Sequence, residues 1–171
     1  STENPILYYQ TTAGLDYVIG EFVKGLEERE LMDNTIIIYG SDHGLLMGEY
    51  GMGGKSLLYD LASKIPCFVY DPHAPASQKG STSDELVSSL DITRTILDYA
   101  GVNALDFMDG TSLQPLVRGE TTEWREELFL ESLYTGRDNP FQEGIRMGKW
   151  KYIRMFEGVK WEYNESHVDF A

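Results

Sequence analysis

The chain has 171 residues, and its 14 Lys and Arg against 28 Asp and Glu give a formal net charge of −14. Hydrophobic residues make up 42% of it, which is enough for a folded core and excludes a disordered acidic tail. The charge excludes a general binder of nucleic acid, which needs a basic face, and no apolar run reaches the roughly 18 residues of a membrane span. One cysteine and three histidines exclude an internal disulfide and a Cys- or His-rich metal site.

The first predicted elements are a long amphipathic helix over residues 5–32 and two buried strands. Asn4 can cap the helix, and Pro5 suits its first position, where a missing N–H is harmless. Apolar residues recur along it at three- and four-residue spacing, namely Leu15, Ile19, Phe22, Val23 and Leu26. Continuous apolar runs at residues 35–39 and 66–70 predict strands that are buried on both faces, as in a parallel sheet.

The rest of the chain is predicted to contain shorter elements. Residues 85–90 suggest a short strand, and residues 91–100 a helix with Asp91 as its cap. Residues 112–117 suit a single helical turn. After residue 120, three short strands separated by turns predict an antiparallel meander, at residues 127–132, 144–147 and 151–156.

These elements predict an α/β protein with part of a mixed, mainly parallel sheet flanked by helices, and a small C-terminal antiparallel sheet. Residues 1–120 would form the α/β core. Residues 121–171 would form the antiparallel subdomain.

The strongest chemical signal is the loop after the first predicted strand. Ligands of open α/β sheets bind beyond the carboxyl ends of strands, and Asp42 and His43 lie just past such an end, between glycines. Together they can offer an oxygen and a nitrogen to a divalent cation, or act as acid and base. The alternative is that Asp42 caps a turn and His43 is a solvated loop residue.

Lys55 follows in the segment Gly53-Gly54-Lys55-Ser56, which invites comparison with a phosphate-binding P-loop. That motif would need a glycine at position 49, where this chain has Glu49, and a carboxylate there would repel a triphosphate. A lysine in a glycine-rich loop could still bind a tetrahedral anion as a point charge, although an ordinary surface lysine has the same spacing.

The remaining reactive side chains give no site. Cys67 lies inside an apolar run and is predicted to be a buried small hydrophobic residue. His73 lies in a loop bounded by prolines, and His167 lies in an acidic tail, so both are predicted to be solvated.

Several segments resemble the C-terminal part of a formylglycine-dependent type I sulfatase, of the alkaline-phosphatase superfamily. The resemblance covers most of the chain, through residues 15–20, 33–44, 48–66, 89–101, 109–113 and 145–152. The loop Ser41-Asp42-His43-Gly44 is shared across that superfamily, including phosphodiesterases and mutases. The downstream spacing Gly-Glu-x-Gly-x-x-x-Lys, which ends at Lys55, is what points to sulfatases.

The resemblance also implies roles for three residues. Asp42 would be a ligand of a divalent metal, calcium with magnesium as the alternative. His43 would stand at the metal and the nucleophile, as both a metal ligand and a catalytic residue. Lys55 would bind a sulfate oxygen and help to neutralise the leaving oxygen, where negative charge develops.

One family feature is not found in the sequence. Sulfatases form their formylglycine nucleophile from the motif Cys/Ser-x-Pro-x-Arg, and Cys67 is followed by Phe-Val-Tyr instead. The resemblance therefore implies a fragment of a sulfuric ester hydrolase, inactive alone, whose N-terminal part carries the formylglycine. Its partners would be that N-terminal part and a sulfated small molecule or glycan, in an extracytoplasmic location, without nucleic acid or membrane.

Two alternatives remain open. One is a phosphodiesterase or phosphonate monoester hydrolase of the same superfamily, although these usually bring two metals and more histidines. The other is a non-catalytic binding or scaffold domain that uses an acidic face, in which Asp42 would not contribute to calcium affinity.

Overall fold

A computed structural model describes residues 4–120, 123–133 and 140–156. Its helices and strands confirm the predicted α/β class. In chain order they are α1 (Pro5–Glu27), β1 (Ile37–Gly40), β2 (Leu46–Met47), β3 (Gly53–Gly54), α2 (Asp60–Ser63), β4 (Cys67–Tyr70), α3 (Ser89–Tyr99), α4 (Gln114–Arg118), β5 (Glu127–Ser132), β6 (Phe141–Met147) and β7 (Trp150–Phe156). Within those ranges, no helix combines the length and apolar character needed to cross a membrane.

Helix α1 begins as predicted but is largely exposed to solvent. The Asn4 side chain accepts hydrogen bonds from the backbone N–H groups of Ile6 (3.0 Å) and Leu7 (3.4 Å). The helix ends five residues earlier than predicted, at Glu27. Glu30, with φ of 56°, has left the right-handed helical region. None of its residues is buried, and its large apolar side chains are mostly exposed, including Leu7, Tyr9, Tyr17, Val18 and Phe22.

The predicted parallel pairing is wrong for the described strands. Strands β1 and β4 pair antiparallel, with Ile37 opposite Tyr70 and Gly40 opposite Cys67. The other described pairs, β2–β3 and β5–β6–β7, are antiparallel as well. A continuous apolar run indicates two apolar faces, but it carries no information on the direction of the neighbouring strand. Burial on both faces is also wrong, since β1 is only partly buried.

Two smaller predictions are corrected around β4 and α3. Cys67 is exposed rather than buried, because it begins β4, whose first half faces solvent. Residues 85–90 do not form a strand. Ser88 caps α3 instead, and Asp91 occupies the third helical position, where its carboxylate accepts from the Ser88 backbone N–H at 2.7 Å.

The C-terminal antiparallel sheet is confirmed. Strand β5 has the predicted bounds, whereas β6 begins at Phe141, three residues before the prediction. Gln142 and Gly144 are both buried and alternate with partly exposed residues, so they share the inward face of β6.

The described part of the chain has a small interior with an unusual share of polar side chains. Its buried apolar residues are Leu46, Leu58, Ala62 and Leu113, and its buried polar ones are Asp71, Asp91, Thr95 and Gln142. Every buried side-chain polar atom in the described ranges has a hydrogen-bond partner. Specific hydrogen bonds therefore accompany apolar packing throughout this interior.

The two buried aspartates tie distant segments together. Asp91 is fully buried, and both terminal nitrogens of Arg125 lie 2.8 Å from its carboxylate oxygens. Asp71 accepts hydrogen bonds from Tyr99 (3.0 Å) and Arg118 (3.3 Å). Burial opposes ionisation of Asp71, but hydrogen bonds from the His73 backbone and these two side chains outweigh it, so its pKa lies below the usual value.

Candidate functional site

The loop that carries Asp42 and His43 is fixed by the glycine that follows it. The Gly44 backbone N–H donates to the carbonyl oxygen of Ala62 in α2, at 2.8 Å. A Cβ atom at position 44 would lie 2.0 Å from the carbonyl oxygen of Leu61, closer than any real contact. Only glycine lets the loop approach α2 this closely.

We expect Gly44→Ala to disturb this loop and to destabilise the chain by about 1–3 kcal/mol, because the methyl group must displace backbone. The matched control is Gly14→Ala in α1, where no atom lies within 4 Å of the added Cβ. Alanine in an exposed helix should stabilise by about 0.5–1 kcal/mol. Urea unfolding of both variants measures the difference, and equal effects would show that the contact with Leu61 is not restrictive.

A small hairpin brings Lys55 back to this loop. Leu46 pairs with Gly54 and Met47 with Gly53, so β3 returns the chain antiparallel to β2 and Lys55 follows directly. The reversal uses backbone conformations that favour glycine, with φ of 123° at Gly48. The spacing Gly-Glu-x-Gly-x-x-x-Lys therefore corresponds to the turn and returning strand of this hairpin.

The three predicted site residues lie together. The Lys55 Nζ atom is 2.6 Å from His43 Nε2, and His43 Nε2 is 3.2 Å from Asp42 Oδ2. The other ring nitrogen, Nδ1, lies 2.9 Å from the Gly44 carbonyl oxygen, which can only accept. The neutral ring therefore carries its proton on Nδ1, and Nε2 accepts from the Lys55 ammonium group.

The Asp42 carboxylate is available to a ligand. Its side chain is 81% exposed. The His43 backbone N–H donates to Asp42 Oδ1 at 2.9 Å, and this bond holds the pKa of Asp42 below its usual value, so the group is ionised at neutral pH.

The donor chemistry of Asp42 and His43 suits a cation. In the neutral tautomer, Asp42 Oδ2 and His43 Nε2 both present lone pairs 3.2 Å apart, so the Lys55 ammonium group, or a metal ion in its place, would offset their repulsion. In the described ranges, however, no three His, Cys, Asp or Glu side chains group around a possible metal position. Asp42 and His43 therefore supply part of a ligand set at most.

A cavity of about 330 Å³ lies beside the loop but does not include the three residues. It is bounded by α1 and by the segment that follows Gly44, through Pro5, Tyr8, Tyr9, Leu45, Met47, Glu49 and Leu61. Apart from Glu49, its lining is aromatic and aliphatic, unlike the charged Asp42–His43–Lys55 cluster.

Sequence reasoning missed the residues that support the segment after Lys55. Asp60 of α2 forms ion pairs with Arg146 (2.9 Å) and with Lys151, on neighbouring strands β6 and β7. The Lys151 ammonium group, which donates to Asp60, holds the pKa of that carboxyl below its usual value, and Arg146 adds to the effect. Gln142 bonds to the backbone of Ser56 and Leu58. No local pattern marks these contacts, because the partners are more than 80 residues apart in sequence.

Comparison with known proteins decides the family. A Sulfatase family model matches residues 3–102, which is more than half of the chain. The chain belongs to the sulfatase family. The match includes the whole Asp42–His43–Lys55 cluster, whereas the C-terminal sheet lies beyond it.

Individual members of the family show the same relationship over most of this chain. This chain is 33% identical to an arylsulfatase of Clostridium perfringens. The match covers 77% of this chain and 27% of that protein. It is 30% identical to an N-acetylglucosamine-6-O-sulfatase of Bacteroides thetaiotaomicron over 95% of its length, or 30% of that protein. The chain thus spans less than a third of these sulfatases.

Solved structures are also similar to most of this chain. One is an enzyme in complex with its substrate D-glucosamine-2-N,6-O-disulfate, with a TM-score of 0.77 and 30% identity over 87% of this chain and 31% of that one. Another is a phosphonate monoester hydrolase of Agrobacterium radiobacter, with a TM-score of 0.78 and 27% identity over 86% of this chain and 32% of that one.

Proposed function

We propose that this chain is the C-terminal part of a sulfuric ester hydrolase and carries one side of its active site. The observation that carries the proposal is the contact between Lys55 Nζ and His43 Nε2 at 2.6 Å, next to the Asp42 carboxylate. Membership of the sulfatase family supports it. In a chain of net charge −14, such a local cationic group is what an anionic ester needs in order to bind.

Each of the three residues has a distinct part in the proposal. Asp42 contributes a carboxylate oxygen to a divalent cation, calcium or magnesium, which prefers oxygen ligands. Lys55 binds a non-bridging sulfate oxygen and offsets the charge that develops on the leaving oxygen. His43 orients the Lys55 ammonium group through Nε2. The cation itself would polarise the sulfate group.

His43 cannot bond to Lys55 and to the metal at the same time. Its Nδ1 proton points to the Gly44 carbonyl, which leaves one ring lone pair, on Nε2. If Nε2 were to hold the cation, as the family resemblance implies, the Lys55 ammonium group would be free to bind the sulfate group. If it does not, His43 acts only on Lys55.

The proposal includes a second part of the protein. An N-terminal part supplies the formylglycine, which provides the nucleophile, and the remaining metal ligands. Residues 1–120 belong to the α/β core and residues 121–171 to a C-terminal subdomain. A sulfated saccharide in an extracytoplasmic compartment is the proposed substrate class, supported by the relative named for N-acetylglucosamine-6-O-sulfate and by the glucosamine disulfate complex.

The test is hydrolysis of 4-nitrophenyl sulfate by the intact protein and by this chain alone. We expect metal-dependent turnover by the intact protein, loss on chelation, and no turnover by the chain alone. Asp42→Asn should weaken calcium binding in isothermal titration by about tenfold or more. Asp84→Asn, at an exposed loop position, is the matched control.

The outcomes separate the alternatives. Robust metal-dependent turnover by this chain alone would contradict the fragment proposal. Unchanged calcium affinity in Asp42→Asn would favour the scaffold function.

A second candidate is phosphonate monoester hydrolysis, because two enzymes so named are similar in structure, with TM-scores of 0.78 and 0.71. Both reactions act on a tetrahedral anion, which the Lys55 ammonium group would bind equally well. The ratio of kcat/KM for 4-nitrophenyl sulfate and for a 4-nitrophenyl phosphonate ester decides between them.

A further inference from the structure

We propose that Gln142 of β6 is a positioning residue for Lys55, an inference that rests on the proposed role of Lys55. Gln142 is fully buried, and its amide bonds to the backbone just after Lys55. Its Oε1 accepts from the Leu58 N–H at 3.0 Å, and its Nε2 donates to the Ser56 carbonyl at 3.2 Å. The side chain thus pairs with residues 56–58 as a neighbouring strand would.

Lys55 lies between two anchors. On its N-terminal side, Gly53 and Gly54 pair with β2, which follows the Asp42–His43 loop. On its C-terminal side, Ser56 is held by Gln142. A lysine has a flexible four-carbon side chain, so the direction of its ammonium group depends on a fixed backbone at its base. With both neighbours fixed, Lys55 reaches His43 Nε2.

The C-terminal sheet adds further contacts to the same segment. The Ser132 hydroxyl donates to the Ser56 carbonyl at 3.2 Å, and Lys151 Nζ donates to the Leu58 carbonyl at 2.9 Å. Leu58 packs under Gly144, where an added Cβ would lie 3.5 Å from the leucine Cδ1 and 3.0 Å from the Tyr152 carbonyl oxygen. The distance to Leu58 is an ordinary van der Waals contact, and the tighter contact is with Tyr152 in the neighbouring strand of the same sheet.

These contacts give the C-terminal sheet a role in the chemistry as well as in the fold. Gln142 bonds to backbone and not to substrate, so any effect on turnover must pass through the Lys55 segment. Substitution of a purely structural residue would lower stability, and its effect on turnover would not depend on Lys55. The two roles are separated by whether the effect of Gln142 requires Lys55 to be present.

The experiment is a double-mutant cycle in the intact protein with Gln142→Met and Lys55→Ala. Methionine has a similar volume but forms none of the amide hydrogen bonds. We expect Gln142→Met to lower kcat for 4-nitrophenyl sulfate about tenfold and to change KM by less than about threefold. In the Lys55→Ala background it should have no further effect. Hydrogen exchange of the Leu58 amide should be about tenfold faster in Gln142→Met.

Two further variants keep the test decisive. Ser132→Ala removes one contact to the Ser56 carbonyl, where Gln142→Met removes two contacts to residues 56–58, and should lower kcat about threefold in a stable protein, even if Gln142→Met does not fold. Arg118→Met removes an ion pair with the buried Asp71, outside the C-terminal sheet, and should leave both kcat and Leu58 exchange unchanged below its unfolding temperature.

Three results would each be decisive. Equal losses from Gln142→Met with and without Lys55 would overturn the positioning role. So would an unchanged kcat in both Gln142→Met and Ser132→Ala while Lys55→Ala is impaired. An unimpaired Lys55→Ala would instead refute the proposed function, whatever the effect of Gln142.

Discussion

Lys55→Ala is expected to lower kcat of the intact protein for a sulfate ester by about 10²- to 10³-fold. The ammonium group lies 2.6 Å from His43 Nε2, at the end of the loop that carries Asp42. Its charge opposes the negative charge that develops on the sulfate and leaving oxygens, so the loss should fall mainly on kcat. Steady-state kinetics with 4-nitrophenyl sulfate at saturating metal measures it.

The control for this prediction is Lys79→Ala. Lys79 is exposed in the loop that follows β4, and its removal should change kcat by less than about twofold. Lys55→Arg keeps the charge in a different shape and should recover part of the activity. A kcat in Lys55→Ala equal to that in Lys79→Ala would exclude Lys55 from catalysis.

Arg125→Met should destabilise this chain by about 3–5 kcal/mol, a large share of the stability of an ordinary domain. The reason is the fully buried Asp91 carboxylate, which would keep the backbone N–H groups of Ser88 and Thr111 as donors but lose its counter-charge. Since Arg125 joins α3 to the segment before β5, the C-terminal sheet should loosen first. Urea unfolding followed by circular dichroism measures the loss.

The matched control is Arg154→Met. Arg154 pairs with Glu143 across β6 and β7, but its side chain is 60% exposed, so we expect a loss of only about 0–1 kcal/mol. Adding Asp91→Asn to Arg125→Met removes the unpaired charge and should restore part of the stability. If both arginine variants lose the same small amount, the buried pair does not stabilise the fold.

The candidate site could be predicted because its residues are close in sequence. Asp42, His43 and Lys55 lie on one loop and one hairpin, and the glycines between them mark the turns that bring the chain back. The capped start of α1 and the bounds of β5 were predictable for the same reason. Each depends on residues within one short segment of the chain.

Other features could not be predicted because their causes are remote in sequence. The antiparallel direction of β1 and β4 depends on how residues 41–66 fold between them. The apolar runs of the two strands carry no information on that direction. The sequence pattern predicted Asp91 as the helix cap. In the structure Ser88 is the cap, and Asp91 binds the distant Arg125 instead. Cys67 lies in an apolar run, yet it is exposed because no other element of the described chain covers the first half of β4.

The sequence by itself determined the acidic charge of this 171-residue chain, and it predicted a candidate site at Asp42, His43 and Lys55 from a spacing that resembles sulfatases. Its charge argues against a nucleic-acid partner, and its composition indicated a folded core. Only the tertiary structure decided how that site is supported. The buried amide of Gln142 reaches the Lys55 segment from 86 residues away, and such contacts depend on packing between elements, which local sequence patterns do not encode.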